Sequence, residues 1–246
     1  MSVDLEYDFE TEHSRNIELI VPKLLNFFKE KNITATFFVL GKIAEQYHSM
    51  VKQIAKHHEI ASHSYEHIPL SKLSFEEQEK QLIKGKEAIE KLGIQCLGIR
   101  APYFMISKNH FELIKKIGFE YDSSISTFFP GRYHHILSKT KPYTKNNIFE
   151  LPVPNWLPKS LPAGFSYYRL FSPLSKLFLI PYMIYLHPCE FMDAPMTESL
   201  PKIIQKAYSR NQGDKAWQMF TEFIEKNNDI KWVSCKGYIE KELDKK

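Results

Sequence analysis

The run Thr34-Ala35-Thr36-Phe37-Phe38-Val39-Leu40-Gly41 is continuously apolar or β-branched and ends on glycine. A run without a polar face suits a strand buried on both sides, and the glycine supplies its stop. Behind it, Ile43, Tyr47, Val51 and Ile54 recur at helical spacing, and Glu59 to Ser62 returns to the extended pattern. Strand, amphipathic helix and strand in that order make a βα unit of a parallel sheet, so the chain is predicted to be of the α/β class.

Outward from that unit the alternation continues. Upstream, Ser2 to Glu6 reads as a first strand, and Ile17, Ile20, Val21, Leu24 and Phe28 share one helical stripe that Pro22 is expected to kink near its start. Downstream, Ser74 with Glu77 is a capping box opening a helix that bears Leu82, Ile83 and Ile89 and stops at Gly93. Cys96 to Ile99 is the fourth strand. Ser107 is expected to cap a helix carrying Phe111, Ile114 and Ile117, with Gly118 past its end and Phe119 to Ile125 as the next strand. Ile148 to Val153, Pro181 to Leu186 and Ile230 to Ser234 are the remaining strand candidates, and Trp217, Phe220 and Ile224 lie on a late helix. The polar stretch Pro130 to Lys145 reads as a long loop near the site.

The 246 residues, 43% hydrophobic and 25% charged, suit a single domain, residues 1–246, of a size at which α/β barrels commonly occur. Lys and Arg number 33 against 29 Asp and Glu, and the small excess is spread along the chain, so no nucleic-acid partner is expected. Cys96, Cys189 and Cys235 form no C-x-x-C pair, which argues against a disulfide framework or a thiolate zinc site and fits a reducing compartment. Met1-Ser2-Val3-Asp4 lacks the features of a signal peptide, giving a cytoplasmic expectation. Leu177 to Leu186 contains Pro181 and falls short of the roughly 20 residues a spanning helix needs. The aromatic and basic run Phe165 to Lys176 offers core packing, sugar stacking or peripheral membrane contact. No oligomeric state is indicated.

Five short constellations fall where barrel strands would end, the edge at which such barrels carry catalytic groups. In Ser62-His63-Ser64-Tyr65-Glu66-His67, one helical turn would set His63 and His67 on one face to grip a divalent metal; a chance pair among 10 histidines is the even-odds competitor. In Asp4-Leu5-Glu6, the two-residue period of a strand points both carboxylates to one side, where unpaired charge would require a metal or cationic partner unless the terminus is simply solvated. Arg100-Ala101-Pro102-Tyr103-Phe104 places a carboxylate-binding guanidinium before a turn that can line a pocket. Tyr121-Asp122-Ser123-Ser124 ends a strand, and Leu186-His187-Pro188-Cys189-Glu190 delivers a histidine from an apolar one. Cys189 lacks the partners of a nucleophile and reads as a packed thiol.

Taken in order, Asp-x-Glu, His-Ser-x-x-His, Arg-x-Pro-Tyr and Leu-x-His resemble the motif succession of the polysaccharide deacetylase family, the NodB-homology or family 4 carbohydrate esterases, from Val3 to about Phe191. Thr34 to Gly41, His58 to His67 and Arg100 to Phe104 look like segments of that family. Gly164 to Leu170 and His187 to Phe191 look most like its bacterial polysaccharide-biosynthesis branch. The resemblance implies a distorted (β/α) barrel of about seven parallel strands. It implies a metal-dependent hydrolase that removes an N-acetyl or O-acetyl group from an amino sugar in a glycan, a nucleotide sugar or a lipid-linked precursor.

By that resemblance His63 and His67 are metal ligands, Asp4 is the general base, His187 the general acid and Arg100 the residue that orients the base. Tyr103 and Pro102 line the acetyl pocket and Asp122 is a further substrate contact. The family's first motif has adjacent aspartates, whereas Leu5 follows Asp4 here, so the third ligand is expected to be Glu6, with Asp8 as the alternative. The family's aspartate-tryptophan motif is not evident near Asp122, which leaves the tuning of the acid without an assigned partner. Two histidines and a carboxylate suit zinc, though iron, cobalt and manganese share those ligand types. Two other readings stand beside this one: hydrolysis of another C–N bond on the same scaffold, and a non-catalytic carbohydrate binder.

Overall fold

The computed structural model of the chain describes residues 1–8, 14–126, 141–156, 161–193 and 202–244. Its strands are β1 (Ser2–Leu5), β2 (Thr36–Val39), β3 (Glu59–Ser62), β4 (Gly98–Ile99), β5 (Tyr121–Asp122), β6 (Tyr143–Lys145), β7 (Ile148–Glu150), β8 (Asn155–Trp156), β9 (Leu161–Pro162) and β10 (Tyr185–Leu186). The helices are α1 (Val21–Glu30), α2 (Gly41–Gln46), α3 (His48–Ala55), α4 (Phe75–Glu90), α5 (His110–Ile117), α6 (Phe165–Leu170), α7 (Lys202–Tyr208), α8 (Gly213–Lys226) and α9 (Cys235–Leu243).

One sheet runs β10-β1-β2-β3-β4-β5-β7-β6, parallel throughout except for the antiparallel β6–β7 pair; β8 and β9 form a separate hairpin. The sheet curls into a half-barrel with helices outside it. The curl is visible in one side chain: Arg100, just beyond β4, reaches Ser2 Oγ of β1 at 3.0 Å and Met183 Sδ, before β10, at 3.3 Å. Strand alternation divides the core accordingly. Phe37 faces outward onto Phe28 of α1, while Phe38 faces inward with Ala61, Tyr121, Leu151, Met183 and Cys235. Burial on both faces accounts for the absence of any polar alternation between Phe37 and Leu40, all fully buried.

Several local expectations are corrected. Ile230 to Ser234 is no strand: Trp232 and Val233 offer single carbonyls to Thr34 N–H (3.3 Å) and the Met1 amine (3.1 Å), closing the barrel floor rather than adding a ladder. The Ile43 to Ile54 stripe is two helices, broken at Tyr47 (φ −113°, ψ 37°), yet Ile43, Val51 and Ile54 are all buried; periodicity reports the packed side, not an unbroken backbone. Ser107 does not cap α5 with its hydroxyl; its carbonyl accepts from His110 N–H at 3.3 Å, and Asn109 holds the N-cap. Ahead of α1 a π-helical turn spans Asn16–Ile20, a wider turn placed just before Pro22, which has no N–H to give. Of the expected loop Pro130 to Lys145, Tyr143–Lys145 is strand β6, and residues 130–140 lie outside the described residues. The Ser74–Glu77 capping box and the left-handed Gly118 C-cap (φ 87°) form as expected. Among the described residues no helix is long and apolar enough to cross a membrane.

Candidate metal centre and active site

The C-terminal ends of β1, β3, β4 and β10 bring six of the predicted residues to one mouth. Asp4 and Glu6 come from β1, His63 and His67 from the segment after β3, Arg100 from β4, and His187 from β10. Tyr103 follows Arg100 in a tight turn and lays its ring 4.2 Å from that of His67, and Pro102 before it is buried. Tyr103 (φ 55°) and Phe104 (φ 56°) are consecutive left-handed residues, a strained conformation of the sort held only where surrounding structure imposes it.

His63 and His67 converge without the expected helical turn. The segment after β3 instead turns through Ser64 at φ 69°, which puts the two imidazole centroids 5.4 Å apart. The turn is held from behind by α2, whose Gly41 N–H donates to Ser64 O (2.9 Å) and Lys42 N–H to Tyr65 O (3.1 Å). Gly85 of α4 lies against the same backbone: a Cβ there would sit 2.6 Å from Ser64 C and 2.9 Å from Tyr65 N.

His63 Nδ1–H donates to the Arg100 carbonyl at 2.7 Å, an acceptor only, so its Nε2 carries a lone pair when the ring is neutral. That nitrogen faces Glu6 Oε1 at 3.0 Å, and His67 Nε2 lies 3.0 Å from the same oxygen without hydrogen-bond alignment. Lone pairs opposed at such distances need a proton or a cation between them. Glu6, His63 and His67 offer one oxygen and two nitrogens within 4.8 Å of one another, a donor set that fits a divalent metal. Burial alone would raise the Glu6 carboxyl, but the imidazoles of His67, His187 and His63 hold it well below the usual carboxylate range. Asp8, the alternative ligand, is occupied elsewhere: its oxygens accept from Arg15 N–H (3.0 Å) and Asn16 N–H (3.0 Å) at the start of the helix.

Beside this group Arg100, fully buried, donates to Asp4 Oδ1 at 2.5 Å, to Ser123 O at 3.2 Å and to Ser123 Oγ at 2.9 Å, with its guanidinium 4.1 Å from the Phe38 ring centre. Asp4 Oδ2 faces His187 Nε2 at 3.9 Å, and the same nitrogen lies 3.8 Å from Glu6 Oε1. Burial pulls the His187 imidazolium down, but Glu6, Glu190 and Asp4 outweigh it and push the group up to about 9. Glu190 also takes His187 Nδ1 at 3.2 Å, and Arg169 of α6 donates to Glu190 at 2.9 Å. Sequence reasoning assigned neither Glu190 nor Arg169, although each lies in a segment it quoted; a glutamate three residues after the histidine was the available signal.

Asp122 does not join the mouth. On β5 its neighbour Ser123 faces Arg100, so Asp122 points to the opposite face, toward His110 of α5 (3.2 Å), Ser124 (2.5 Å) and Glu150. Burial and the adjacent Asp122 raise Glu150 well above its ordinary value, so it retains a proton for that pair. The link to the site is indirect: the Ser124 hydroxyl accepts from Ala101 N–H at 2.8 Å and so steadies the turn before Tyr103. A cavity of about 370 Å³ opens beside Tyr182, Trp232 and Cys235, and none of Glu6, His63, His67 and His187 lines it.

The half-barrel of parallel strands has the distorted-barrel fold of the NodB-homology type, and it carries the Glu6–His63–His67 donor set with Asp4 and His187 at its strand ends. Residues 8–121, just under half of the chain, match the family model described as polysaccharide deacetylase. The match stops short of Asp4, Glu6 and His187, which enter the site through the fold. The chain is 41% identical over 90 residues to a peptidoglycan-N-acetylglucosamine deacetylase of Bacillus cereus, covering 36% of this chain and 33% of that protein. It is 34% identical over 110 residues to a peptidoglycan deacetylase of Helicobacter pylori, covering 44% and 38% respectively. The matched segments thus span little more than a third of those relatives. A crystal structure described as a polysaccharide deacetylase from Mycobacterium smegmatis superposes on 98% of this chain and 90% of its own with a TM-score of 0.62 and 21% identity, which shows the shared fold.

Proposed function

We propose that the chain is a zinc-dependent deacetylase that hydrolyses the N-acetyl group of an amino sugar and releases acetate. The observation that carries this reading is the convergence of the Glu6–His63–His67 donor set with Asp4 and His187 at one mouth. A divalent cation held by those donors supplies Lewis acidity toward the acetyl carbonyl and the attacking water.

The chain's own residues do the rest. Arg100 occupies Asp4 Oδ1 and leaves Oδ2 facing the mouth, so Asp4 is fixed as the base that takes the water proton at that oxygen. His187, with Nδ1 held by Glu190 and Nε2 turned to the mouth, gives a proton to the departing sugar nitrogen. Tyr103, its ring tilted 41° against that of His67, forms the wall against which the acetyl methyl rests, next to the buried Pro102. The three cysteines are all buried and none forms a disulfide, which supports action in a reducing compartment on a nucleotide-linked or lipid-linked sugar.

The test is acetate release from N-acetylglucosamine oligomers, nucleotide sugars and lipid-linked N-acetyl sugars, using metal-stripped and zinc-restored protein. Zinc-dependent release is expected from at least one class. Stoichiometric zinc and bound glycan with no release from any would overturn the reading in favour of a carbohydrate binder.

A further inference from the structure

We propose that Glu190 and Arg169 are positioning residues that lock His187 in the orientation its role as acid requires, an inference that rests on the deacetylase reading above. The Glu190 carboxylate divides its oxygens between two tasks. Oε1 accepts from both the His187 backbone N–H (3.0 Å) and ring Nδ1 (3.2 Å), so it fixes the ring relative to its own main chain. Oε2 accepts from Arg169 Nε at 2.9 Å.

Arg169 is anchored in turn: its Nη1 donates to Arg210 O at 2.8 Å, and its own carbonyl accepts from Asn211 Nδ2 at 2.8 Å. Glu190 is 3% exposed and Arg169 1%, so the pair is wholly buried. A buried ion pair is weak support for stability, because desolvating both charges offsets most of their attraction. Here its geometric product is definite: a carboxylate that cannot turn, accepting a proton at Nδ1 and thereby holding Nε2 toward Asp4 and Glu6. Asp122, expected from the resemblance to be a substrate contact, is directed at His110 and does not reach His187. The orienting group is therefore supplied from the turn that follows His187 and braced by α6.

The experiment compares wild type, Glu190→Gln, Arg169→Lys and His187→Ala on two substrates: the N-acetyl sugar, whose amine must be protonated to leave, and 4-nitrophenyl acetate, whose phenolate leaves unaided. For Glu190→Gln, kcat on the amide is expected to fall about 10- to 100-fold with KM unchanged, while ester turnover stays near wild type. Arg169→Lys should show the same split with a smaller loss, and it carries the test if Glu190→Gln does not fold. Adding Glu190→Gln to His187→Ala should cost nothing further on the amide.

Equal losses on amide and ester, or full additivity with His187→Ala, would overturn the proposal. A readout free of turnover separates it from the functional reading: the downfield Nδ1–H proton of His187, assigned by its absence in His187→Ala, should disappear in Glu190→Gln. Its persistence there would overturn the positioning role even in an active enzyme. Its loss in a protein that releases no acetate would support the positioning and sink only the deacetylase reading.

Discussion

Gly85 sits in the middle of α4, where alanine would ordinarily stabilise a helix by about 0.5–1 kcal/mol. The structure predicts the opposite sign for Gly85→Ala. The added Cβ would lie 2.6 Å from Ser64 C, 2.7 Å from Ser64 O and 2.9 Å from Tyr65 N, all backbone atoms of the turn that carries His63 and His67. Ordinary contact begins at 3.4 Å, so helix and turn must part by about 0.8 Å, and no flexible side chain is there to absorb it. Overpacking of that kind costs about 1–3 kcal/mol, which exceeds the propensity gain. The functional loss should be larger than the loss of stability, since a site must be held within about 0.5 Å and a displacement near 1 Å costs about 10²-fold. Zinc affinity measured by competition with a chromophoric chelator, alongside urea unfolding, tests both parts. Gly237→Ala is the control, because its Cβ would meet nothing nearer than Ser234 Oγ at 3.4 Å. If Gly85→Ala binds zinc like wild type and unfolds at higher urea, the close approach does not constrain the ligand turn and the reasoning fails.

The two candidate carboxylates separate cleanly: Glu6→Ala should lose zinc while staying folded, whereas Asp8→Ala should retain zinc and lose about 1 kcal/mol as a removed helix cap; zinc loss in Asp8→Ala alone would reverse the assignment. Asp4→Asn should lower kcat by about 10²- to 10⁴-fold with zinc still bound, and wild-type turnover in that variant would remove Asp4 as base. His58 accepts Ala35 N–H at Nδ1 (3.3 Å) between Phe28 and Phe37, and burial, with a smaller push from His57, lowers it from 6.5 to about 4. Between those values the unfolded chain binds the proton and the folded one does not, so this group's stabilisation is complete above pH 6.5 and is lost as pH falls toward 4. An NMR titration of His58 with a midpoint near 6.5 would contradict this.

Sequence periodicity reached the fold because burial on both faces leaves an unmistakable pattern: the run through Phe37 and Phe38 needs apolar partners inside and outside the sheet, and has them. The same signal misled at Ile230 to Ser234, where apolar residues close the barrel floor by packing without ladder partners. At the site, spacing identified His63 and His67 but not the turn that joins them, because Ser64 in the left-handed region breaks the helical rule on which the spacing argument rested. Asp122 was legible as a strand-end carboxylate but not as outward facing. That depends on strand register, and Ser123 is the residue that meets Arg100. Arg169 and Glu190 lie 21 residues apart and meet only through the curl of α6 against β10, a long-range fact no local pattern carries.

The charges at the mouth single out where a divalent cation would sit, without reference to any relative. Asp4 has Arg100 and Glu190 has Arg169, each a guanidinium that stays ionised at any physiological pH. Among the described carboxylates of the mouth, Glu6 is the one faced only by imidazoles, His63, His67 and His187. The Arg100 carbonyl fixes His63 with its proton at Nδ1, so neutral His63 turns a lone pair, not a donor, toward Glu6. The anion can then be balanced in two ways: by protons on the histidines, or by a cation seated between Oε1 and the two Nε2 atoms. These alternatives compete for the same space, so binding of a divalent cation there is expected to release protons and to weaken as pH falls. Titrating zinc into metal-free protein in two buffers of different ionisation enthalpy counts those protons. A release of zero would refute this exchange of protons for the cation.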